Sequence, residues 1–140
     1  MSKRDELIQG LNKDLMAEWG TIIRYTHQSG KAFGIAGVEL REILTREIQD
    51  ELRHATFLTD VIVDLGGEPA TMSDDFAKPN DLKGMLELDL QREEQDVENY
   101  KKHAKLSEEL GEIELKVKLE EIASDEERHA RVLRRLLKGM

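Results

Sequence analysis

The sequence predicts an all-α protein: an antiparallel four-helix bundle in which two helical hairpins are joined by a long crossover. Three observations support this prediction. The 140 residues are 36% charged and 39% hydrophobic and include only two prolines, a composition that favours long amphipathic helices. Apolar residues recur at alternating steps of four and three, the spacing typical of helices packed in a bundle. The two halves also match each other at an offset of 75 residues, and the total length suits one domain spanning residues 1–140.

The first hairpin consists of two predicted helices. The first helix runs from about Asp5 to Gln28 and stops before the glycines of SGKAFGIAG. Its buried stripe contains Leu7, Leu11, Leu15, Ile22 and Tyr25. The second helix is near thirty residues long and ends at Gly66 and Gly67, where a left-handed C-terminal cap forms easily. Its stripe contains Leu40, Leu44, Leu58 and Val61.

The second hairpin begins after a long connection. The segment GGEPATMSDDFAKPN is too long for a tight turn and suits a crossover along the bundle. The third helix starts after Pro79, with Asn80 or Asp81 as its N-cap, and its stripe contains Leu86, Leu90, Val97, Tyr100 and Ala104. The fourth helix carries Leu115, Leu119, Ile122, Leu133 and Leu136. These two helices are expected to meet near SEELG, where Ser107 can cap and Gly111 can break the helix.

The internal repeat is clearest in two hexapeptides, DELRHA from Asp50 to Ala55 and DEERHA from Asp125 to Ala130. Two equivalent hairpins packed about a pseudo-twofold axis would place their corresponding residues on opposite sides of one centre. The same offset aligns further positions, pairing Asp14, Leu15, Glu18 and Tyr25 with Asp89, Leu90, Glu93 and Tyr100.

Polar residues interrupt the apolar stripes at equivalent points. Glu18 and Glu93 lie on the stripes of the first and third helices, and a Glu-x-x-His pair lies on each of the other two stripes: Glu51 with His54, and Glu126 with His129. A spacing of three places each Glu and His on one helical face. Burying this group without compensation is costly. Such a group must meet either protons or cations, and its four carboxylates would balance the charge of two divalent cations.

The aspartates of the repeat have a predicted role in that centre. A metal-bound histidine usually donates its second ring N–H to a carboxylate. Asp50 precedes Glu51 and Asp125 precedes Glu126. Across the pseudo-twofold axis, Asp50 is expected to orient His129, and Asp125 is expected to orient His54.

Several other polar and aromatic residues have simpler interpretations. Tyr25 and Tyr100 are expected to be core aromatics, although a hydrogen bond to the ligands or electron donation is an alternative. Three residues are assigned surface, structural or packing roles: His27, His103 and Trp19. The nearest rivals for the ligand roles are Glu47, one turn before Glu51, and Glu94, next to Glu93 but rotated away from the stripe.

Composition excludes several classes of partner. A formal charge of −9 and an isoelectric point near 5.0 disfavour binding to nucleic acid or to an anionic membrane. The absence of cysteine excludes disulfides and thiolate metal sites. The start MSKRDELIQG lacks the apolar run of a signal peptide, and no stretch approaches membrane-spanning length, so a cytoplasmic location is expected.

The chain resembles bacterioferritin-type members of the ferritin-like superfamily. The resemblance lies in LNKDLMAEWGTIIRY, EIQDELRHATFLTDVIVDLGGEP and EIASDEERHARVL, with its two Glu-x-x-His motifs and two inward glutamates. It implies two Fe ions per chain and a ferroxidase that oxidises Fe(II) with dioxygen or peroxide, for iron storage or detoxification. It also implies that Glu51 and Glu126 bridge the two ions, within the ligand set Glu18, Glu51, His54, Glu93, Glu126 and His129. Mn or Zn are alternative metals because such ligands do not select iron alone.

Departures from this family pattern shape the remaining expectations. Leu52 stands where bacterioferritins carry the methionine that binds haem, so haem is not expected. The sequence ends at Met140, after the fourth helix, without the short fifth helix that closes the bacterioferritin cage; a homo-oligomer as small as a dimer is expected. A rubrerythrin-like peroxidase is one alternative, because Asp96 lies one turn after Glu93, where rubrerythrins carry an extra carboxylate. A metal-binding bundle without enzymatic activity is another.

Overall fold

A computed structural model describes residues 1–140, which form four α-helices and no strands. The helices are α1 (Lys3–Gly30), α2 (Gly34–Asp64), α3 (Leu82–Glu109) and α4 (Ile113–Lys138). The predicted all-α class and four-helix bundle are therefore confirmed. None of the four helices combines the length and the apolar character that crossing a bilayer requires.

The helix ends follow local sequence signals. The Ser2 hydroxyl accepts a hydrogen bond from the Asp5 amide and caps α1 three residues before the predicted start. Asp81, one of the two residues predicted as the N-cap, caps α3 in the same way. Gly66 and Gly111 both have positive φ, at 93° and 75°, so each ends its helix as predicted. Ser107 does not cap α4; its hydroxyl donates to the carbonyl of its own helix one turn earlier.

Side-chain pairs between helices show how the bundle is arranged. Between α1 and α3, Arg24 pairs with Asp89 and Asp14 with His103, so residue numbers rise on one helix as they fall on the other. The same antiparallel order joins α2 to α4 through Asp50–His129 and His54–Asp125. Each hairpin is also antiparallel, so α2 and α3 run parallel and residues 65–81 must cross the length of the bundle.

Apolar side chains form two clusters at opposite ends of the bundle. The larger cluster joins the start of α1 and α4 to the end of α2 and α3, and includes Leu7, Leu11, Leu58, Ile62, Leu115 and Leu119. The smaller cluster lies at the other end and consists of Tyr25, Leu40, Leu44, Leu86 and Leu133. A polar layer separates the two clusters, and the predicted metal ligands lie in this layer.

Some stripe predictions were off by one residue. Ile22, Val61 and Leu90 are only half-buried, whereas their neighbours Thr21, Ile62 and Asp89 are buried. A straight helix has 3.6 residues per turn, so a strict alternation of fours and threes drifts away from the buried face over several turns. Leu136, near the end of α4, is half-buried as well.

The crossover is fastened to α1 by several hydrogen bonds. The Asn12 side chain bonds the carbonyl of Glu68 and the amide of Ala70, and Trp19 Nε1 donates to the Ala70 carbonyl at 3.3 Å. Farther along, the Asp74 amide donates to the Met16 carbonyl. Trp19 is thus a half-buried packing residue, as predicted, and its partner is the crossover.

Gly20 allows the crossover to lie directly on α1. A Cβ at this position would overlap the Asp74 carboxylate, which Arg92 holds from α3 at 2.8 Å. We expect Gly20→Ala to lower the free energy of unfolding by about 1–2 kcal/mol, since overpacking outweighs the helix propensity of alanine. Gly30→Ala is the control, because nothing lies within 4 Å of its added Cβ. Chemical denaturation would measure both variants, and equal stabilities would contradict this account of the contact.

Candidate metal centre

The structure brings all six predicted ligands together in the polar layer. Each of these residues has at most 4% of its surface exposed, so the six side chains are shielded from solvent. Long helices on all four sides fix its position, because each ligand lies in the middle of its helix. The residues are Glu18 on α1, Glu51 and His54 on α2, Glu93 on α3, and Glu126 and His129 on α4.

Two groups of four ligand atoms can be distinguished, and within each group all atoms lie within 4.8 Å of one another. In the first group, His54 Nδ1 lies 3.5 Å from Glu18 Oε1, 3.4 Å from Glu126 Oε1 and 4.0 Å from Glu51 Oε1. We call this group the His54 half. It contains one residue from each of α1 and α4 and two from α2.

The second group, the His129 half, is its pseudo-symmetric counterpart. His129 Nδ1 lies 3.2 Å from Glu51 Oε1, 3.5 Å from Glu126 Oε1 and 3.7 Å from Glu93 Oε1. Glu51 and Glu126 belong to both halves, whereas the other residues belong to one. The two groups overlap at these two carboxylates, an arrangement that would suit two neighbouring cations.

The donor atoms of the centre have no hydrogen-bond partners. They include both carboxylate oxygens of Glu51 and of Glu126, one oxygen each of Glu18 and Glu93, and Nδ1 of both histidines. Leaving so many buried acceptors unsatisfied is costly, and cations coordinated by oxygen and imidazole nitrogen would satisfy them. The residues present therefore fit a pair of divalent metal ions.

Aspartates orient both histidines, as predicted from the repeat. His54 Nε2 lies 2.9 Å from Asp125 Oδ2, and His129 Nε2 lies 2.8 Å from Asp50 Oδ2. A carboxylate at Nε2 favours the tautomer that carries its proton there, which leaves the Nδ1 lone pair directed into the centre. Arg128 donates to both aspartates, at 3.1 Å and 3.0 Å, and so links the two orienting residues.

The two tyrosines contact the centre directly. The Tyr25 hydroxyl donates to Glu93 Oε1 at 2.6 Å, and the Tyr100 hydroxyl donates to Glu18 Oε1 at 2.5 Å. Each hydrogen bond engages one oxygen of a glutamate, and the other oxygen has no hydrogen-bond partner. The alternative interpretation, a hydrogen bond to the ligands, is therefore the arrangement observed.

Burial and mutual repulsion make this cluster a strong binder of protons when no metal is present. Burial raises the pKa of Glu18 to about 8 and that of Glu51 to about 7, and it raises the pKa of Glu126 well above its ordinary value. Burial opposes a charge on His129, but the neighbouring carboxylates of Glu51 and Glu93 outweigh this effect and raise its pKa to about 12. Metal ions must therefore displace protons at neutral pH.

The rival carboxylates lie outside both halves. Glu94 is exposed and pairs with Arg134 on the surface. Glu47 is buried one turn before Glu51, and burial raises its pKa to about 8, but it contributes to neither group of ligand atoms. Asp96 is also buried and belongs to neither group, so the structure adds no seventh carboxylate to the ligand set.

Sequence analysis missed two buried polar clusters that flank the centre. In the first, Arg24 Nε and Gln28 Nε2 donate to Asp89 Oδ1 at 2.9 and 3.0 Å. In the second, His103 Nδ1 lies 2.5 Å from Asp14 Oδ2. His103 is therefore buried and hydrogen-bonded to Asp14, whereas His27 is exposed as predicted. The sequence did contain a signal for these clusters: Asp14 and Asp89 are equivalent in the repeat, and each lies four residues before an inward glutamate.

Comparisons with solved structures agree with this geometry. A ferritin-like diiron-carboxylate protein from Bacillus anthracis str. Ames matches with a TM-score of 0.95 and 38% identity, over 98% of this chain and 99% of that one. A Desulfovibrio desulfuricans bacterioferritin with a diiron site matches with a TM-score of 0.88 and 26% identity, over 97% of this chain and 80% of that one. BfrA from M. tuberculosis matches with a TM-score of 0.88 and 29% identity, over 96% of this chain and 84% of that one.

A comparison with curated proteins gives no significant match. The sequence model of the ferritin-like domain family matches residues 8–140, nearly the whole chain. Together with the bundle and its carboxylate-histidine centre, this match shows that the chain belongs to the ferritin-like domain family.

Proposed function

We propose that this protein binds two Fe(II) ions at the centre and oxidises them with dioxygen or hydrogen peroxide, as a ferroxidase in iron storage or detoxification. The observation that carries the proposal is the pair of overlapping ligand groups that share Glu51 and Glu126. The diiron sites named for the B. anthracis and D. desulfuricans proteins support iron as the metal. Mn(II) or Zn(II) would fit the same donor atoms.

The residues of the centre have distinct tasks in this proposal. Glu18 and His54 hold one ion, Glu93 and His129 hold the other, and the shared glutamates keep both ions close enough to react with one oxidant. The bound iron supplies one electron per ion. Asp50 and Asp125 keep the histidines in the metal-binding tautomer.

The surroundings limit what else can react. The apolar clusters at both ends of the polar layer exclude bulk water from the ligands. Tyr25 and Tyr100 restrain Glu93 and Glu18 through one hydrogen bond to each carboxylate, which limits the rotation of both side chains. Bound Fe(II) would therefore have ligands whose rotation is restricted. It would react mainly with the oxidant rather than with water.

An oxidation assay tests the proposal against a metal-binding bundle without activity. Metal-free protein is loaded anaerobically with two equivalents of Fe(II) per chain, then mixed with dioxygen or with hydrogen peroxide in separate experiments. We expect oxidation much faster than for Fe(II) in buffer alone, followed by absorbance of protein-bound Fe(III). Binding of Zn(II) together with Fe(II) oxidation at the rate of buffer would support the non-enzymatic alternative.

The choice of oxidant separates the ferroxidase from a rubrerythrin-like peroxidase. Asp96 is the residue that favours the peroxidase, because it is a buried carboxylate one turn after Glu93. A peroxidase would oxidise the bound iron rapidly with peroxide and only slowly with dioxygen. Asp96→Asn should then slow the peroxide reaction, whereas it should leave a ferroxidase nearly unchanged.

Glu93 and Glu94 offer a matched pair of variants. Glu93 is fully buried in the His129 half, and Glu94 is exposed on the next position of the same helix. We expect Glu93→Gln to lose one of the two metal equivalents and most of the oxidation rate, because the His129 half then lacks a carboxylate. Glu94→Gln should retain both metal equivalents and the oxidation rate. Calorimetric titration with Mn(II) measures the stoichiometry, and damage in Glu94→Gln instead would show that the ligand assignment on α3 is wrong.

Assembly into a homo-oligomer is part of the proposal. Ile23 and Met72 are exposed and line an apolar surface depression together with the half-buried Trp19. Such a surface is typical of subunit contacts. A structurally similar protein from Bacteroides fragilis, 20% identical, is described as a dodecameric thioferritin. Light scattering of the purified protein would give the number of chains, and retention of many irons per chain would indicate storage.

A further inference from the structure

The two buried clusters beside the centre occupy equivalent places in the duplicated hairpins, but their chemistry differs. The offset of 75 residues relates Asp89 to Asp14 and Gln28 to His103. Asp89 accepts from an amide and from the guanidinium of Arg24, and neither group releases a proton near neutral pH. Asp14 is instead bonded to an imidazole, which can take up and release protons in that range.

Asp14 and His103, here called the His103 cluster, also reach a surface cavity. A cavity of about 250 Å³ has Asp14 and His103 among its lining residues. The His103 ring lies against α1 at Gly10, where an added Cβ would overlap Nε2. The charged groups that face the ring are Glu6, Lys13 and Asp14 from α1 and Lys102 from α3. Nδ1 thus bonds Asp14, while Nε2 lies beside Gly10, which lines the same cavity.

At its inner end the same cluster approaches the His54 half of the centre. Asp14 precedes Glu18 by four residues on the buried face of α1, one helical turn or about 6 Å away. On α3, Tyr100 precedes His103 by one turn and donates its hydroxyl to Glu18. Asp14 on α1 and His103 on α3 therefore lie one helical turn from the two residues that form this hydrogen bond.

We propose that His103 and Asp14 carry protons between the surface cavity and the Glu18 side of the metal centre. In each transfer Nε2 of His103 accepts a proton from cavity water and Nδ1 passes its own proton to Asp14. Asp14 then releases its proton toward the Glu18 side of the centre, where reduction of the oxidant consumes it. The ring returns to its first tautomer before the next transfer.

This role rests on the proposed function, because that reaction consumes protons. Oxidation of two Fe(II) by one hydrogen peroxide takes up two protons and yields two Fe(III) and two waters. With dioxygen, two Fe(II) and two protons yield two Fe(III) and one hydrogen peroxide. Protons reach buried ligands along polar groups, and the His103 cluster provides one such route to the Glu18 side of the centre.

The test uses two substitutions at His103. His103→Gln keeps a hydrogen-bond donor toward Asp14, as Gln28 does toward Asp89, but it cannot carry a proton. We expect about tenfold slower Fe(II) oxidation by excess peroxide at pH 6.5. The stoichiometry and affinity of Mn(II) binding, measured by calorimetry, should be unchanged. His27→Gln, at an exposed histidine, is the control and should oxidise Fe(II) at the wild-type rate.

Rescue by added imidazole separates proton transfer from a structural role. His103→Ala enlarges the cavity at the position of the lost ring, so millimolar imidazole should restore most of the oxidation rate. A wild-type rate in His103→Gln, or a slow His103→Ala that imidazole does not accelerate, would overturn the proposal while the ferroxidase assignment stands. Wild-type protein that binds metal but oxidises no Fe(II) would overturn both, because the relay would then have no reaction to serve.

Discussion

Replacing Glu51 with glutamine is expected to abolish tight binding of both metal ions, whereas Glu18→Gln should weaken the binding of one. Glu51 belongs to both halves of the centre and Glu18 belongs to the His54 half alone. Glutamine has nearly the same shape as glutamate, so the substitution removes a charge and a ligand oxygen without opening a cavity. Calorimetric titration with Mn(II) would give the number of equivalents bound by each variant.

The pairing of Glu51 with Glu126 provides a second comparison. Both residues lie between the two halves, so Glu126→Gln should resemble Glu51→Gln and differ from Glu18→Gln. Circular dichroism would establish that each variant is folded. Retention of one wild-type-affinity equivalent in Glu51→Gln would mean that the two ions do not share this carboxylate.

The metal-free protein is expected to lose stability as the pH rises from 5 to 7.5, and bound metal should largely remove this loss. The pKa of Glu18 is about 8 in the folded protein, and that of Glu51 is about 7, compared with 4.5 for an ordinary glutamate. Between about pH 4.5 and 8 the folded state therefore holds more protons than the unfolded state, and the free energy of unfolding falls with rising pH. From these two glutamates the expected loss is about 5 kcal/mol.

Thermal or chemical unfolding of metal-free and Mn(II)-loaded protein at both pH values would measure this effect. In the loaded protein the cations replace the protons, so stabilisation by metal should be larger at pH 7.5 than at pH 5. Metal-free Glu51→Gln should be more stable than metal-free wild type at pH 7.5, because one buried carboxylate is gone. Equal stabilisation by metal at the two pH values would contradict a buried cluster of protonated carboxylates.

The fold and the position of the centre could be predicted because duplication makes the same signal appear twice. The Glu-x-x-His pairs interrupt apolar stripes at equivalent points, so the polar layer and its cross-paired aspartates follow from the spacing and the pseudo-twofold axis. Asp50 with His129 and Asp125 with His54 are the clearest examples, since each pair joins residues from different hairpins.

The flanking clusters could not be predicted by the same reasoning. Arg24 and Asp89 look like surface residues in a hydropathy pattern, and only their contact across the bundle explains why both are buried. His103 has no counterpart histidine in the other half, where Gln28 takes its place, so the repeat concealed its role. The half-burial of Leu90 arises from the same shift of the α3 face that buries Asp89.

Anaerobic titration of metal-free protein with Fe(II), followed by Mössbauer spectroscopy after exposure to the oxidant, tests the dinuclear centre most directly. The overlapping ligand groups predict saturation at two Fe(II) per chain and a coupled pair of Fe(III) ions after oxidation. Saturation at one Fe(II) per chain, or oxidation that yields only isolated Fe(III), would contradict the assignment of Glu51 and Glu126 as carboxylates shared by two ions.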